Sequence, residues 1–242
     1  MRSKVLYSVL VFAVLIIGAS ALFGSVTIGD QVKVIKDFGL FALSLLSVLY
    51  CVISGSTLLF KELARKTVFN ILSKPVRRWE FLTGKFLGIF STSVVLLFCM
   101  GILFSSFTAF FERSIDFELF RGYFHIALEL MIICSAVILF SSIVVTPILI
   151  GLFSFGLFLA GRSLNVLLYL IDEGFVSGGE AIVVKSLYWG LPQLHTININ
   201  DALVYQIAVP HTQSIWALIY AISYSAVLLV LAQMLFQRRE FN

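Results

Sequence analysis

The hydrophobic pattern divides the 242-residue chain into long apolar runs that are separated by shorter polar stretches. A membrane-spanning helix needs about 20 consecutive, mostly apolar residues. Runs of this length do not fit the strands of a barrel, and a helix satisfies its own backbone polar groups in lipid. The sequence therefore predicts an all-α polytopic membrane protein, a single transmembrane domain over residues 1–242. The predicted spans are at about residues 5–23, 38–60, 86–111, 123–140, 145–161 and 214–236.

The turn between the fourth and fifth spans has few local signals. Residues 122–160 are almost continuously apolar, too long for one span and about right for two. Ser141, Ser142 and Pro147 are the candidates for the turn. After this hairpin, residues 162–213 form a polar, turn-rich segment that we predict to be extracytoplasmic, with a short interfacial helix at 181–189.

Composition and charge support this topology. The chain is 60% hydrophobic and 12% charged, whereas an ordinary soluble domain carries about 25% charged residues. Eleven of the 17 lysines and arginines fall in the two terminal segments and in residues 61–85. Because lysine and arginine are retained on the cytoplasmic side, we expect both termini and this loop to be cytoplasmic, which requires an even number of spans.

The polar stretch 61–85 is more than a connector. It holds seven of the 17 lysines and arginines, yet Val68, Phe69, Ile71 and Leu72 form an apolar cluster within it. This mixture predicts a short surface helix that docks against something, and Pro75 is suited to the first turn of a second helix. The alternative is a cationic loop that lies on anionic lipid headgroups and needs no protein partner.

The same stretch resembles the first cytoplasmic loop of the ABC-2 family of ABC-transporter permeases. The residues that carry the resemblance are Glu62, Lys66-Thr67, Leu72, Lys74-Pro75-Val76, Arg78-Trp79-Glu80-Phe81 and Gly84-Lys85. The sequence departs from the family pattern at Arg77, where a small polar residue is common. Asp37-Phe38-Gly39, Leu191-Pro192 and the C-terminal Phe236 to Phe241 are also similar to that family.

The resemblance implies the permease subunit of an ATP-driven transporter in a bacterial-type cell (inner) membrane, with export as the expected direction. A second permease copy would complete the substrate route, and separate ATPase subunits would hold ATP and Mg. The stretch would contain the coupling helix between spans 2 and 3 that contacts the ATPase, and nucleic acid is not an expected partner. The residues implied in this coupling are Glu62, Arg65, Lys66, Thr67, Val68, Phe69, Leu72, Pro75, Arg78 and Glu80.

The chain lacks the motifs of an ATPase or a hydrolase of its own. There is no G-x-x-x-x-G-K-[ST] loop to hold phosphates, no H-E-x-x-H and no C-x-x-C. We therefore expect no enzymatic activity, no cofactor and no metal on this chain. Its three cysteines lie in predicted spans, where we interpret them as packing residues.

Arg121, His125 and Glu129 share one helix face, because they are spaced by four residues. An ionisable group inside a span is costly, so Glu129 is a candidate residue of the transport pathway. The alternative is a local pairing in which Arg121 and His125 neutralise Glu129. Small and hydroxyl residues such as Ser44 and Gly151 indicate close helix packing in the second and fifth spans, which the resemblance makes candidates for lining the route.

Other classes of membrane protein stay open on the residues alone. A secondary carrier or a membrane-embedded enzyme would need several buried charges along a path, and Glu129 is the one strong candidate. An assembly scaffold would recruit anionic lipid with the cationic loop and would have no ATPase partner. A neighbouring reading frame with ATPase motifs would favour the permease over all three.

Overall fold

The computed structural model describes residues 11, 14, 18–20, 30–64, 78–114, 116–144, 146–173 and 179–237. The described elements are all α-helices, and no strand occurs among the described residues. In chain order they are α1 (Gln31–Ala64), α2 (Arg78–Glu112), α3 (Glu118–Ile143), α4 (Pro147–Asp172), α5 (Gly179–Gly190), α6 (Leu194–Ile197), α7 (Asn200–Val204) and α8 (His211–Gln237).

Five of these helices are long and apolar enough to cross a membrane. The qualifying segments are Gln31–Thr57, Trp79–Glu112, Glu118–Ile143, Pro147–Val166 and His211–Phe236. They confirm the all-α polytopic membrane fold. The predicted first span, residues 5–23, lies almost wholly outside the described residues, so the count of six spans stays a prediction.

Helix α3 is the centre of the described bundle and contacts α1, α2, α4 and α8. Its middle is buried on every side, including Ile132, Ile133 and Cys134, because a helix that is apolar all round can pack neighbours around its whole circumference. Helices α2, α4 and α8 instead carry large exposed apolar side chains such as Phe110, Ile148 and Trp216. Such residues are suited to lipid contact.

Two contacts establish which helix ends lie together. Phe81, near the start of α2, stacks on Phe236, near the end of α8, with 6.4 Å between ring centroids. The beginning of α2 and the end of α8 are therefore on one side of the bundle. On the opposite side, Lys36 of α1 contacts Glu112 at the end of α2.

The helices extend beyond several predicted boundaries. Helix α1 continues to Ala64 and α2 already begins at Arg78, so both reach into the predicted loop, whose residues 65–77 lie outside the described part of the chain. Helix α4 continues past the expected end at residue 161 to Asp172. Arg162 therefore lies within helix α4. Its charge is accommodated there by partners on other helices.

Helix α3 ends at Ile143 and α4 begins at Pro147, so the connection between them falls directly before this proline. The fixed backbone of proline suits the first position of a helix, which explains why α4 begins there. Ser141 and Ser142 remain helical, and both hydroxyls donate to the carbonyl of Ile138, at 2.7 and 3.0 Å. This local bonding lets serine stay inside a membrane helix, so neither residue marks the turn.

The polar segment between α4 and α8 does not stay outside the bundle. Helices α6 and α7 lie against α1, α3, α4 and α8, and Leu194, Ile197, Ile199 and Val204 are at most 3% exposed. The predicted helix at 181–189 is present as α5, which runs from Gly179 to Gly190. Residues 194–204 thus form a connecting segment that packs within the helix bundle.

Candidate functional site

The polar face predicted on α3 lies at the contact with the connecting segment 194–204. Helix α3 begins at Glu118, so Glu129 is eleven residues further along. At 1.5 Å per residue this is about 16 Å into a helix about 39 Å long. Glu129 has no exposed surface and His125 is 1% exposed.

The Glu129 carboxylate is bound by side chains from three other elements. Ser44 of α1 donates to Oε2 at 3.0 Å, and Asn198, between α6 and α7, donates its amide nitrogen to Oε1 at 2.9 Å. The guanidinium of Arg162 on α4 lies 3.9 Å from Oε2. It also donates to the Ser44 hydroxyl at 2.8 Å, so Ser44 relays between the cation and the carboxylate.

His125 lies one helical turn closer to the start of α3. It contacts both the 194–204 segment and α8. Its Nδ1 is 2.6 Å from the carbonyl oxygen of Ile197, and its Nε2 is 3.0 Å from the hydroxyl of Ser214 on α8. A carbonyl oxygen only accepts, so Nδ1 carries a proton and donates it to Ile197. In the neutral ring Nε2 then accepts from Ser214.

Arg121 forms the outermost contact of the same face. Its guanidinium donates to the carbonyl of Val209 at 3.0 Å and pairs with Glu118 at 3.0 Å. The three residues therefore bind the chain from Ile197 to Ser214 at three successive levels. We call Arg121, His125 and Glu129 the α3 ladder.

The partner of Glu129 differs from the expected local pairing. The carboxylate is neutralised by Arg162, which is distant in sequence, whereas Arg121 and His125 are engaged by the backbone at Val209 and Ile197. The four-residue spacing predicts that the ladder lies on one face of α3. It does not predict which residues pack against that face. In the sequence, Arg162 directly follows an apolar stretch, which predicts the end of a span there and gives no sign of its partner.

Several buried polar atoms near this level have no hydrogen-bond partner in the described part of the chain. Both amide atoms of Asn200 are unpaired, and this residue is 3% exposed. Its backbone N–H donates to the side-chain oxygen of Asn198 at 2.9 Å. The hydroxyls of Ser47 and Ser154 are also unpaired and buried.

A second ionic cluster lies where α1 meets the α2–α3 turn. The Lys36 ammonium contacts Glu112 at 2.5 Å and Asp116 at 2.6 Å, and its side chain is 5% exposed. The cluster lines an open cleft of about 600 Å³ that also includes Arg121. Residues 202–203 and 206–209, at and beyond the end of α7, form the other wall.

The remaining histidines and cysteines show no metal site. His195 is only partly exposed; burial lowers its pKa, while a hydrogen bond to the Gly161 backbone opposes that shift. Cys51 of α1 and Cys134 of α3 are buried with their sulfurs 2.8 Å apart. Among the described residues, no three His, Cys, Asp or Glu side chains are grouped to hold a metal ion.

A comparison with protein-family models covers nearly the whole chain: residues 4–241 match the model described as ABC-2 family transporter protein. The chain belongs to the ABC-2 family. It is therefore an integral membrane protein and a permease of an ABC transporter. No curated protein matches the sequence.

The predicted coupling residues fall at the end of α1, at the start of α2 and between these helices. Glu62 lies in the last turn of α1, and Arg78 and Glu80 begin α2, where Glu80 is exposed. The acid near the start of α2 is favourable for the helix dipole. The other predicted coupling residues lie outside the described part of the chain: Arg65, Lys66, Thr67, Val68, Phe69, Leu72 and Pro75.

Proposed function

We propose that this ABC-2 permease exports its substrate from the cytoplasm and works as a dimer with a second permease copy. Two separate ATPase subunits would bind ATP and Mg, and their closure would tilt the helices through the loop at 61–85. The family match over residues 4–241 is the observation that carries this proposal. The chain itself has no motif that would hold ATP phosphates.

The charge distribution supports the proposed orientation. The loop at 61–85 and the C-terminal segment together contain nine lysines and arginines, and the contact of Phe81 with Phe236 brings their helix ends together. A cationic surface on one side is typical of the cytoplasmic face. Both termini would then be cytoplasmic, and the ladder and the cleft beside Lys36 would face the outside.

The proposed coupling helix supplies the contact with the ATPase. Val68, Phe69 and Leu72 would insert into the partner, with the flanking cationic residues at the rim of the contact. Truncating apolar side chains that anchor an interface commonly costs about 2 kcal/mol or more per residue. Because this corresponds to more than a tenfold change in affinity, an effect on co-purification should be measurable.

The test is a pull-down of the tagged permease from its native membrane in mild detergent, with co-eluting proteins identified by mass. A stoichiometric ATPase is expected with the wild type, and at most about a tenth of that amount with the double variant Phe69→Ala, Leu72→Ala. Phe110→Ala is the matched control, because Phe110 is 81% exposed and lies near the other end of α2. Absence of an ATPase from the wild-type eluate would contradict the proposed function. Equal recovery with the double variant would contradict only the coupling assignment.

A further inference from the structure

We propose that Cys51 and Cys134 form a redox-sensitive pair, which closes to a disulfide under peroxide and then locks α1 to α3. Both thiols are free and fully buried, and they contact each other across the two helices with 2.8 Å between their sulfurs. The lock rests on the proposed function, because fixing two helices has a consequence only if they move during transport. Formation of the bond does not rest on it, so the two parts are tested separately.

Close packing of α1 on α3 brings the two thiols together. Four residues after Cys51, Gly55 lies so close to α3 that an added Cβ would be 2.6 Å from the Val137 side chain. Seven residues before Cys51, Ser44 donates to Glu129 of α3 at 3.0 Å. The two helices are therefore held together on both sides of the cysteine pair. The Cβ atoms of disulfide-bonded cysteines are about 3.5–4.5 Å apart, a separation that neighbouring helices reach only where they pack closely.

The closing reaction needs a two-electron oxidant, and a small neutral peroxide is the chemical class that suits a buried position. One cysteine sulfur attacks a peroxide oxygen and becomes a sulfenic acid, with release of water. The second sulfur then attacks the sulfenic sulfur, so that the S–S bond forms and a second water leaves. In total, two thiols and one hydrogen peroxide give one disulfide and two waters. Because the second thiol already contacts the first, this condensation precedes further oxidation of the sulfenic acid.

Burial makes the pair slow to close and slow to reopen. Cysteines buried in apolar surroundings react slowly compared with exposed ones, so the pair should respond to sustained rather than brief exposure to peroxide. A disulfide is reduced when a thiolate attacks one of its sulfurs directly. The surrounding helices shield both sulfurs from large polar reductants such as glutathione, because each cysteine is 0% exposed. The closed state should therefore persist after the oxidant is gone.

A closed disulfide would restrict how α1 moves on α3. The cysteine pair lies seven residues along α1 from the Ser44 contact with Glu129, which is about 10 Å at 1.5 Å per residue. One point of attachment lets a helix tilt about it, whereas two points at this separation oppose tilting. Helix α1 leads into the loop at 61–85, through which the proposed ATPase tilts the helices. The closed pair should therefore slow the cycle that ATP drives.

The bond is tested in native membranes with hydrogen peroxide. A Cys99→Ala background leaves only the pair to react, because Cys99 is the third cysteine and is exposed on α2. After the peroxide is destroyed with catalase, the protein is denatured and its remaining thiols are alkylated with a maleimide. We expect both thiols to be lost together, with peptides joined through Cys51 and Cys134 in the unreduced digest and recovery of both thiols by dithiothreitol. The same joined peptides are expected from the wild type, so the result does not depend on how the variant folds.

A pair shifted by one residue is the matched control. In the variant Cys51→Ser, Val52→Cys the new thiol replaces a side chain that is 4% exposed and faces α4, where an added Cβ on Gly151 would lie 3.6 Å from it. This shifted pair should stay reduced under the treatment that closes the native pair. Three results would overturn the disulfide: retention of both native thiols, their loss without joined peptides, or equal closure of the shifted pair.

The lock is tested on the permease with its ATPase bound. Peroxide should remove most of the rate of ATP hydrolysis, and dithiothreitol should restore it. A Cys51→Ser permease with the same ATPase measures any loss that comes from oxidation of the ATPase itself. An equal loss with both permeases, or no loss with the wild type, would overturn the lock. A missing ATPase in the pull-down would contradict the proposed function and the lock with it, whereas the test of the disulfide needs no ATPase.

Discussion

Replacing Lys36 by methionine tests the ionic cluster that joins α1 to the α2–α3 turn. The Lys36 side chain is 5% exposed, and its ammonium contacts Glu112 at 2.5 Å and Asp116 at 2.6 Å. Methionine keeps an unbranched chain of similar length but removes the charge. Two carboxylates that are 18% and 27% exposed would then face each other without a cation.

The expected loss is large because the remaining charges are only partly solvated. Removing one member of a buried ion pair costs about 3–5 kcal/mol, whereas exposed pairs contribute about 0–1 kcal/mol. The partial exposure of Glu112 and Asp116 favours the lower end of the buried range, about 3 kcal/mol. For a chain of this size about 1 kcal/mol shifts Tm by 2–4 °C, so we expect a decrease of about 6–12 °C.

The assay is thermal unfolding of the purified protein in detergent, followed by the loss of monodisperse protein on size-exclusion chromatography. Lys33→Met is the matched control, because Lys33 lies one turn earlier on α1 and pairs with Asp30 at 2.6 Å. Those side chains are 45% and 68% exposed, so the control should change Tm by no more than about 2–4 °C. Equal shifts for the two variants would refute the reasoning that burial makes the Lys36 cluster important.

Two further substitutions have expected outcomes that the same thermal assay can check. Gly161→Ala should lower the stability of the protein by about 1–3 kcal/mol, because an added Cβ would lie 2.5 Å from a backbone carbonyl oxygen. Gly156→Ala is the control and should cause no loss of stability, because nothing lies within 4 Å of the added Cβ. Glu129→Leu should lower the stability of the protein by about 3–5 kcal/mol, because it leaves Arg162 without its carboxylate. Glu129→Gln should lower it clearly less, because glutamine retains an acceptor oxygen. Equal effects within either pair would contradict the contacts on which the prediction rests.

The fold was predictable where local pattern determines it. Long apolar runs require helices in lipid, and the five described membrane-length helices correspond to five of the six predicted spans. The spacing of Arg121, His125 and Glu129 correctly placed them on one face of α3. The partners of that face were not predictable, because Arg162 and Asn198 are far from it in sequence and no local rule links them. The prediction that the fifth span ends before Arg162 is wrong for the helix, which continues to Asp172.

The α3 ladder also explains how an irregular segment is tolerated inside a membrane bundle. Because much of this segment is buried, its backbone groups outside long helices need partners within the protein. Helix α6 ends at Ile197, whose carbonyl is bound by His125, and the N–H of Asn200 at the start of α7 is bound by the Asn198 side chain. Apolar packing alone could not supply these bonds, because it satisfies no donor or acceptor. The polar residues in this span therefore have a structural requirement to meet before any role in transport, and the same bonds become the ones that must break if the segment moves.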